Sequence, residues 1–447
     1  MGNAAPPELP VAETAFVPPR DPGEPRDPAE PRRALSDRLP APWLFPLLVF
    51  GITWGLIVAT WHVANAVYHA SLPWSRYFLF ADAAVYHGIA AHGYAPHGHL
   101  HLLPGALPPM RDAYFPLLPL LVKTVSDMTS RNLAPAELIV QIVAGALACL
   151  AVWALTSRIR DHRLADRTVL LLCAFPGAMT FGMLYSEPLG IALAAASLLA
   201  AANRMWLISG LLGLLATAAH PTLIVLAPAL AVAAVQAVRE RREWGALIAP
   251  ALAPLGFAGY IALVGSDYND YLFLPRLEQK YWHAHLDWGA HALRTLTWTT
   301  PDATRHPLVT SAFIVLLAVA VIGVTLMIKA RVPLPVTVYT VLLVVSWVIT
   351  SSSGPRPRDA WVAFGIFIGA ADKLPRWLLV PLGVGSAALT IFLIGWWPHH
   401  PHAPAPLGEM AIQVKSLSPG RNLRRPYHFF ARNYGNRLMP CYRAMLT

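Results

Sequence analysis

Long apolar runs recur from Trp43 to Trp397, and they constrain this chain more than any other feature. Many are about twenty residues long, which as a helix rising ~1.5 Å per residue covers the ~30 Å of a bilayer's hydrocarbon. The runs are continuously apolar and show no alternation of period two, so they predict membrane helices and not a barrel. Composition agrees: 56% of the 447 residues are hydrophobic and 13% are charged, against roughly 25% charged in a soluble domain. The expected fold class is therefore an all-α polytopic membrane protein with about eleven transmembrane helices. They are placed at 43–66, 134–156, 168–184, 187–202, 205–219, 221–238, 245–264, 307–328, 333–350, 360–371 and 377–397.

The net charge of +10 does not point to nucleic acid, because the basic residues sit in short clusters between apolar runs. That is the signature of cytoplasmic loops. Arg32, Arg33 and Arg38 place the N-terminus inside, and the loops that then fall inside carry Arg158, Arg160, Arg163 and Arg167, Arg204, Arg239, Arg241 and Arg242, Lys329 and Arg331, and Lys373 and Arg376. The tail at 398–447 falls outside on this count although it is basic. Residues 1–40, rich in Pro, Ala, Glu and Arg, read as a disordered cytoplasmic arm, residues 41–397 as the transmembrane domain, and 67–133 as a long first outer loop with interfacial helices, one of them over 114–125. The first span begins too far from Met1 for a cleaved signal and reads as a retained anchor in the cell membrane.

The candidate chemistry lies in the segments assigned to the outer face. Asp82 stands in an apolar and aromatic stretch, where a carboxylate costs desolvation without a partner or a task. It suits a general base or a helix-start acid. Tyr86 lies one helical turn further on. Glu187, ahead of Pro188, also has the form of a helix start, at the same depth. Trp282, His283, His285 and Asp287 join indole, imidazole and carboxylate in one loop, as a sugar ring with apolar faces and polar edges requires or as an interfacial aromatic belt supplies. Arg356 and Arg358 can grip a lipid phosphate or snorkel to headgroups.

His87, His92, His97, His99 and His101 lack the spacing and companions of a zinc site. Cys149, Cys173 and Cys441 form no disulfide framework. There is no phosphate-binding Gly-rich loop and no charged intramembrane series of the kind found in pumps. No metal and no cofactor are expected.

The series FADAAVYHGIAAHGY, YFPLLPLLVK, FPGAMTFGMLYSEPLGIALAAASLLAA and GLLGLLATAAHPTLIVLAPAL, with NDYLFLPRLEQKYWHAHLDWG and SSSGPRPRDAWVAFGIF later on, resembles the PIG-V-like GPI mannosyltransferases and their actinobacterial relatives. The resemblance spans residues 43–375, and its most specific parts are the Asp-containing helix and the Tyr-Ser-Glu turn. Ala81 and Val85 stand where that family usually has tryptophans, and His220 where it has arginine. The resemblance implies a GT-C glycosyltransferase fold and transfer of mannose from a polyprenyl-phosphate donor to a glycan or glycolipid acceptor. It implies Asp82 as the catalytic acidic residue, Glu187 in support, and the Arg356 region on the lipid-phosphate side. His220, with Arg356 and Arg358, is an outer-face candidate for meeting the leaving phosphate. A GT-C transferase of another sugar, a non-catalytic membrane protein and a secondary transporter are the rival readings, the last disfavoured by the absence of repeated halves.

Overall fold

The computed structural model describes residues 34–94, 110–129, 131–282, 284–299, 307–351 and 356–396. The described residues are almost wholly helical. Its helices are α1 Leu44–Val67, α2 Ser75–Phe78, α3 Asp82–His92, α4 Leu117–Met128, α5 Leu133–Ile159, α6 His162–Ala174, α7 Ser186–Ala202, α8 Trp206–Ala219 and α9 Leu226–Arg241. Then follow α10 Ile248–Leu252, α11 Leu255–Tyr268, α12 Phe273–Trp282, α13 Ala290–Leu296, α14 Pro307–Lys329, α15 Leu334–Ile349, α16 Pro357–Val362, α17 Gly365–Lys373 and α18 Arg376–Trp396.

Among the described residues six helical stretches are long and apolar enough to cross a membrane: Leu44–Val67, Leu133–Ile159, Pro221–Arg241, Trp244–Tyr268, Thr310–Lys329 and Arg376–Trp396. Only 28%, 28% and 22% of the apolar windows of the first, fifth and sixth are buried within the protein. The large apolar surfaces left outside, such as Ile52, Val63, Val321, Ile322 and Phe392, would not be tolerated in water and belong against lipid. This is a multi-pass membrane protein.

The expected count of about eleven is not reached by length. The run at 168–184 is a broken pair, α6 followed by a 3-10 turn over Pro176–Gly182 at 76° to it, because Pro176 has no N–H to continue the ladder. Helices α7, α8 and α15 are shorter apolar segments. The run at 360–371 is cut at Ala363 into α16 and α17, and the nine residues of α17 reach only ~14 Å.

The core is built around α7, which packs chiefly on α5 and α8. Gly190, Ala194, Ala195 and Ala201 give it a narrow girth, so neighbouring backbones approach closely. A methyl group on Gly190 would sit 2.8 Å from a Leu223 side-chain carbon. Both α5 and α7 begin at one end of the bundle and finish beside the basic loops, where Arg158 Nε donates to Asn203 Oδ1 at 3.0 Å and Arg204 pairs with Glu243. Glu187 opens α7, so it lies a helix length, about 25 Å, from those arginines.

Two expectations about the flanks change. The arm expected to be disordered through residue 40 is ordered from Ala34: Ser36 is buried, and its N–H donates to Asp166 Oδ2 at 2.9 Å while Trp153 Nε1 donates to Asp166 Oδ1 at 2.8 Å. A buried carboxylate needs such donors, and the chain before α1 supplies one. The interfacial helix expected over 114–125 forms three residues later, as α4, with Leu118, Val122 and Ser126 on its buried face. Pro116 and Pro119 sit where a first helical turn needs no N–H. Residues 1–33, the stretch at 97–109, His283 and the tail at 398–447 lie outside the described residues.

Candidate active site

Five separate segments meet where α3 and α7 begin. Asp82 is the first residue of α3 and sits inside a tight turn in which Ala83 N donates to Phe80 O at 3.2 Å. Ala81 holds φ 53° and ψ −120°, the geometry of the second residue of a type II′ turn, which glycine normally occupies. The Asp82 carboxylate accepts from Arg358 Nη1 at 2.6 Å through Oδ2, and from the Tyr114 hydroxyl at 2.7 Å through Oδ1. Burial pushes its pKa up, but the Arg358 guanidinium, the Tyr114 hydroxyl and the more distant Arg356 together hold it below the ordinary carboxylate range. Asp82 is therefore an anion at neutral pH.

Arg358 also faces the second acid. Its Nη1 stands 3.4 Å from Glu187 Oε1, and its guanidinium lies over the Tyr185 ring, 5.0 Å from the centroid. Glu187 is 2% exposed, and neither of its carboxylate oxygens accepts a hydrogen bond among the described residues. One cation thus serves two carboxylates, Glu187 buried and Asp82 half-buried, with side-chain exposures of 10% for Arg358, 16% for Asp82 and 2% for Glu187. In a low-dielectric setting an ion pair of this kind is held by geometry, since desolvation offsets most of the Coulomb gain.

The local sequence explains how Arg358 reaches that point. Pro357 occupies the first position of α16, and Asp359 Oδ2 accepts from Arg356 N at 3.1 Å, which closes the helix start. Trp361, fully buried, donates from Nε1 to Leu172 O at 2.8 Å and locks α16 against α6. The close approach depends on Gly177: a Cβ there would lie 2.3 Å from Trp361 Cβ and 2.8 Å from Pro357 O.

Helix α3 is fixed on two sides. Tyr86 donates its hydroxyl to Ser186 Oγ at 3.0 Å, and its ring meets Tyr114 edge-on at 5.2 Å between centroids. On another side His87 Nδ1 and the buried Glu137 Oε1 are 2.5 Å apart. His220 caps the next segment: its Nδ1 accepts from Thr222 N at 3.3 Å, which leaves the ring proton on Nε2. Burial lowers its pKa, to about 4, in the combined field of Asp359, Arg358 and Asp82. The ring is neutral at pH 7, so His220 offers a hydrogen bond and not the positive charge expected of it from sequence.

The structure thus brings together Asp82, Tyr86, Glu187 and Arg358, with His220 and Arg356 within their electrostatic reach. Arg358 faces carboxylates, whereas its residue type and place in the sequence suggest a lipid phosphate or snorkelling to headgroups. His285 stands in a separate arrangement: its Nδ1 is 2.7 Å from Ser351 Oγ, and Leu286 bridges Thr350, which ties this loop to the end of α15. His283 and the Trp282 side chain lie outside what is described. Tyr114 and Tyr185 went unrecognised in the sequence as site residues. The only available signal for Tyr114 is a tyrosine immediately ahead of the apolar run of α4.

No protein-family model matches the chain, and no curated protein matches it in sequence. Solved structures that resemble it include the archaeal oligosaccharyltransferase AglB from Archaeoglobus fulgidus in complex with an inhibitory peptide and a dolichol-phosphate, at TM-score 0.44 and 13% identity over 90% of this chain and 59% of that one. The Archaeoglobus fulgidus oligosaccharyltransferase tethered to an acceptor peptide gives TM-score 0.41 and 13% identity over 90% and 58%, and its apo form 0.42 and 14% over 90% and 60%. The chain spans about three-fifths of the length of these proteins.

Proposed function

We propose that this protein is a GT-C-type glycosyltransferase of the cell membrane, which moves a hexose, with mannose as the favoured sugar, from a polyprenyl-phosphate donor to the hydroxyl of a glycan or glycolipid acceptor. The observation that carries the reading is the buried meeting of Asp82, Arg358 and Glu187 at the end of the bundle remote from the basic loops. By the positive-inside rule that end faces outward and the N-terminus is cytoplasmic. The motif resemblance supplies the sugar and the carrier.

In the reaction the Asp82 carboxylate takes the proton of the acceptor hydroxyl. The freed oxygen attacks the anomeric carbon, and the bond from that carbon to the phosphate oxygen breaks on the opposite face. Polyprenyl phosphate leaves with the electron pair and the anomeric configuration inverts. Asp82 is a weak base while Arg358 is bound to it. As charge grows on the leaving phosphate, the Arg358 fork turns toward it, which stabilises the leaving group and frees Asp82 to take the proton. Tyr114 orients the carboxylate, and Glu187 keeps Arg358 from departing altogether. Tyr86 and His220 stand on the sugar side of Asp82, and the residue types at Trp282, His283 and His285 suit the acceptor.

The test is transfer from labelled polyprenyl-phosphate mannose, glucose and arabinose in membranes that contain the full chain. Mannosyl product from the wild type, with a loss of about 10²–10⁴-fold in Asp82→Asn, is the expected result. Full transfer by Asp82→Asn removes Asp82 as base, and transfer of only another sugar moves the chain to a different specificity.

A further inference from the structure

At the other end of the bundle, arginines gather that the proposed reaction does not use. Arg163 and Arg167 project from the first turns of α6, and Arg376 opens α18, which packs on α6. The local acids are already engaged. Asp372 pairs with Arg160 and with Lys373 Nζ at 3.0 Å. Asp161 caps α6 by accepting from Leu164 N at 2.7 Å, and Asp166 is held by Ser36 and Trp153. Arg163 Nε is buried and donates to nothing among the described residues. Arg167 is half-buried, repelled by Arg163 and Arg376 and attracted by Asp161 and Asp372, and among the described residues its Nη1 donates to the Ala371 carbonyl at 3.3 Å.

Arg160, Arg163, Arg167, Lys373 and Arg376 stand here against two acids, Asp161 and Asp372, and the excess of positive charge calls for a further anion. What lies beside them says which. Trp377, Val380 and Val384 are 76%, 63% and 64% exposed and share one face of α18, and Leu170, one turn beyond Arg167, is 42% exposed. An indole beside an arginine at a helix start, with apolar surface leading away along the helix, matches a headgroup at the interface with chains beneath it. We propose that the cleft between α6 and α18 binds the phosphate of an anionic membrane phospholipid, with Arg163, Arg167 and Arg376 on the phosphate oxygens and the acyl chains along Leu170 and the exposed face of α18.

The inference is independent of the sugar chemistry, and its test reads lipid binding directly. The full chain is placed in nanodiscs of phosphatidylcholine with a minor fraction of phosphatidylglycerol or cardiolipin, and the lipids retained on release are counted by native mass spectrometry. The expected result is at least a tenfold enrichment of anionic over zwitterionic lipid, lost in the triple variant Arg163→Gln/Arg167→Gln/Arg376→Gln. Arg376→Gln alone, at an exposed side chain that folding does not need, lowers the enrichment several-fold. Lys329→Gln/Arg331→Gln, in another basic loop, leaves it intact. Equal loss in that control means general surface charge and overturns the proposal, as does unchanged enrichment in the triple or the Arg376 variant. Displacement of the lipid by millimolar inorganic phosphate would make this a free-anion site and overturn it equally.

Discussion

Replacing Arg358 by methionine removes the one cation shared by two acids. Arg358 Nη1 is 2.6 Å from Asp82 Oδ2 and 3.4 Å from Glu187 Oε1, with side-chain exposures of 10%, 16% and 2% for the three residues. Breaking a buried pair at one partner costs about 3–5 kcal/mol, because a charge is left without compensation. Burial already raises the Glu187 pKa to about 7 and Arg358 is what lowers it. Without Arg358, Glu187 therefore takes a proton, Asp82 is the charge left uncompensated, and the lower end of that range, about 3 kcal/mol, applies. Cys149 and Cys173 are both buried and give a reporter: in a Cys441→Ser background, the rate at which a fluorogenic thiol reagent labels them follows opening of the bundle. Arg358→Met is expected to label on the order of a hundredfold faster, at 1.4 kcal/mol per factor of ten. Adding Asp82→Asn removes the stranded charge and should slow labelling again by about tenfold, a coupling of roughly 1.4 kcal/mol. Additivity of the two single changes would refute a shared ion pair. The pH dependence has a definite sign. The Asp82 pKa is held down, so the pair's stabilisation is complete above the unfolded-state value of about 3.9 and is lost as pH falls through the lower folded-state value. The rate is divided by that for an exposed cysteine peptide, which corrects for the falling thiolate fraction. Wild-type labelling then slows from neutral pH to about 5, because Glu187 with its raised pKa takes its proton in the folded state first, and accelerates only in stronger acid.

Tyr114→Phe deletes a hydrogen bond that lowers the Asp82 pKa, so the acidic limb of the rate–pH profile should move to higher pH; a profile that does not move removes Tyr114 from the site. Gly177→Val places carbon within the space of Trp361 and the Pro357 carbonyl and should displace α16, with transferase activity falling far more than thiol protection; a fully active variant would show that α16 tolerates the shift. Ala81→Gly relieves a left-handed residue whose strain costs about 1–3 kcal/mol, so labelling should slow while activity falls because Asp82 is less firmly aimed; equal or higher activity would detach the turn from catalysis.

The features legible in the sequence are those with a one-dimensional signature. Continuous apolar runs mark membrane helices, and clusters such as Arg158 to Arg167 mark one end of them, so Asp82, Glu187, His220 and Arg356 could be assigned a common end before any fold was known. What a hydropathy run does not carry is the path of its backbone. Nothing in the apolar content of 168–184 announces that Pro176 turns it by 76°, and nothing in 360–371 announces the cut at Ala363. Ser36 reads as part of a polar arm because its role lies in a backbone N–H given to Asp166, and a backbone donor has no letter in the sequence.

The site itself was legible by residue type and not by pairing. Asp82 and Arg358 are 276 residues apart, and the rule that arginine suits a phosphate does not say what it grips when no phosphate is bound. Burial decides that question: with Glu187 only 2% exposed, an arginine at this depth must neutralise carboxylates or leave them uncompensated. The same constraint gives the pairing a chemical use. A guanidinium balanced between two carboxylates has a partner to return to whichever one it releases, so it can move toward a new anion without leaving Glu187 wholly unpaired. In the proposed reaction the charge on Asp82 and the charge on a leaving phosphate compete for a single fork, and proton uptake by Asp82 ends that competition in favour of the phosphate.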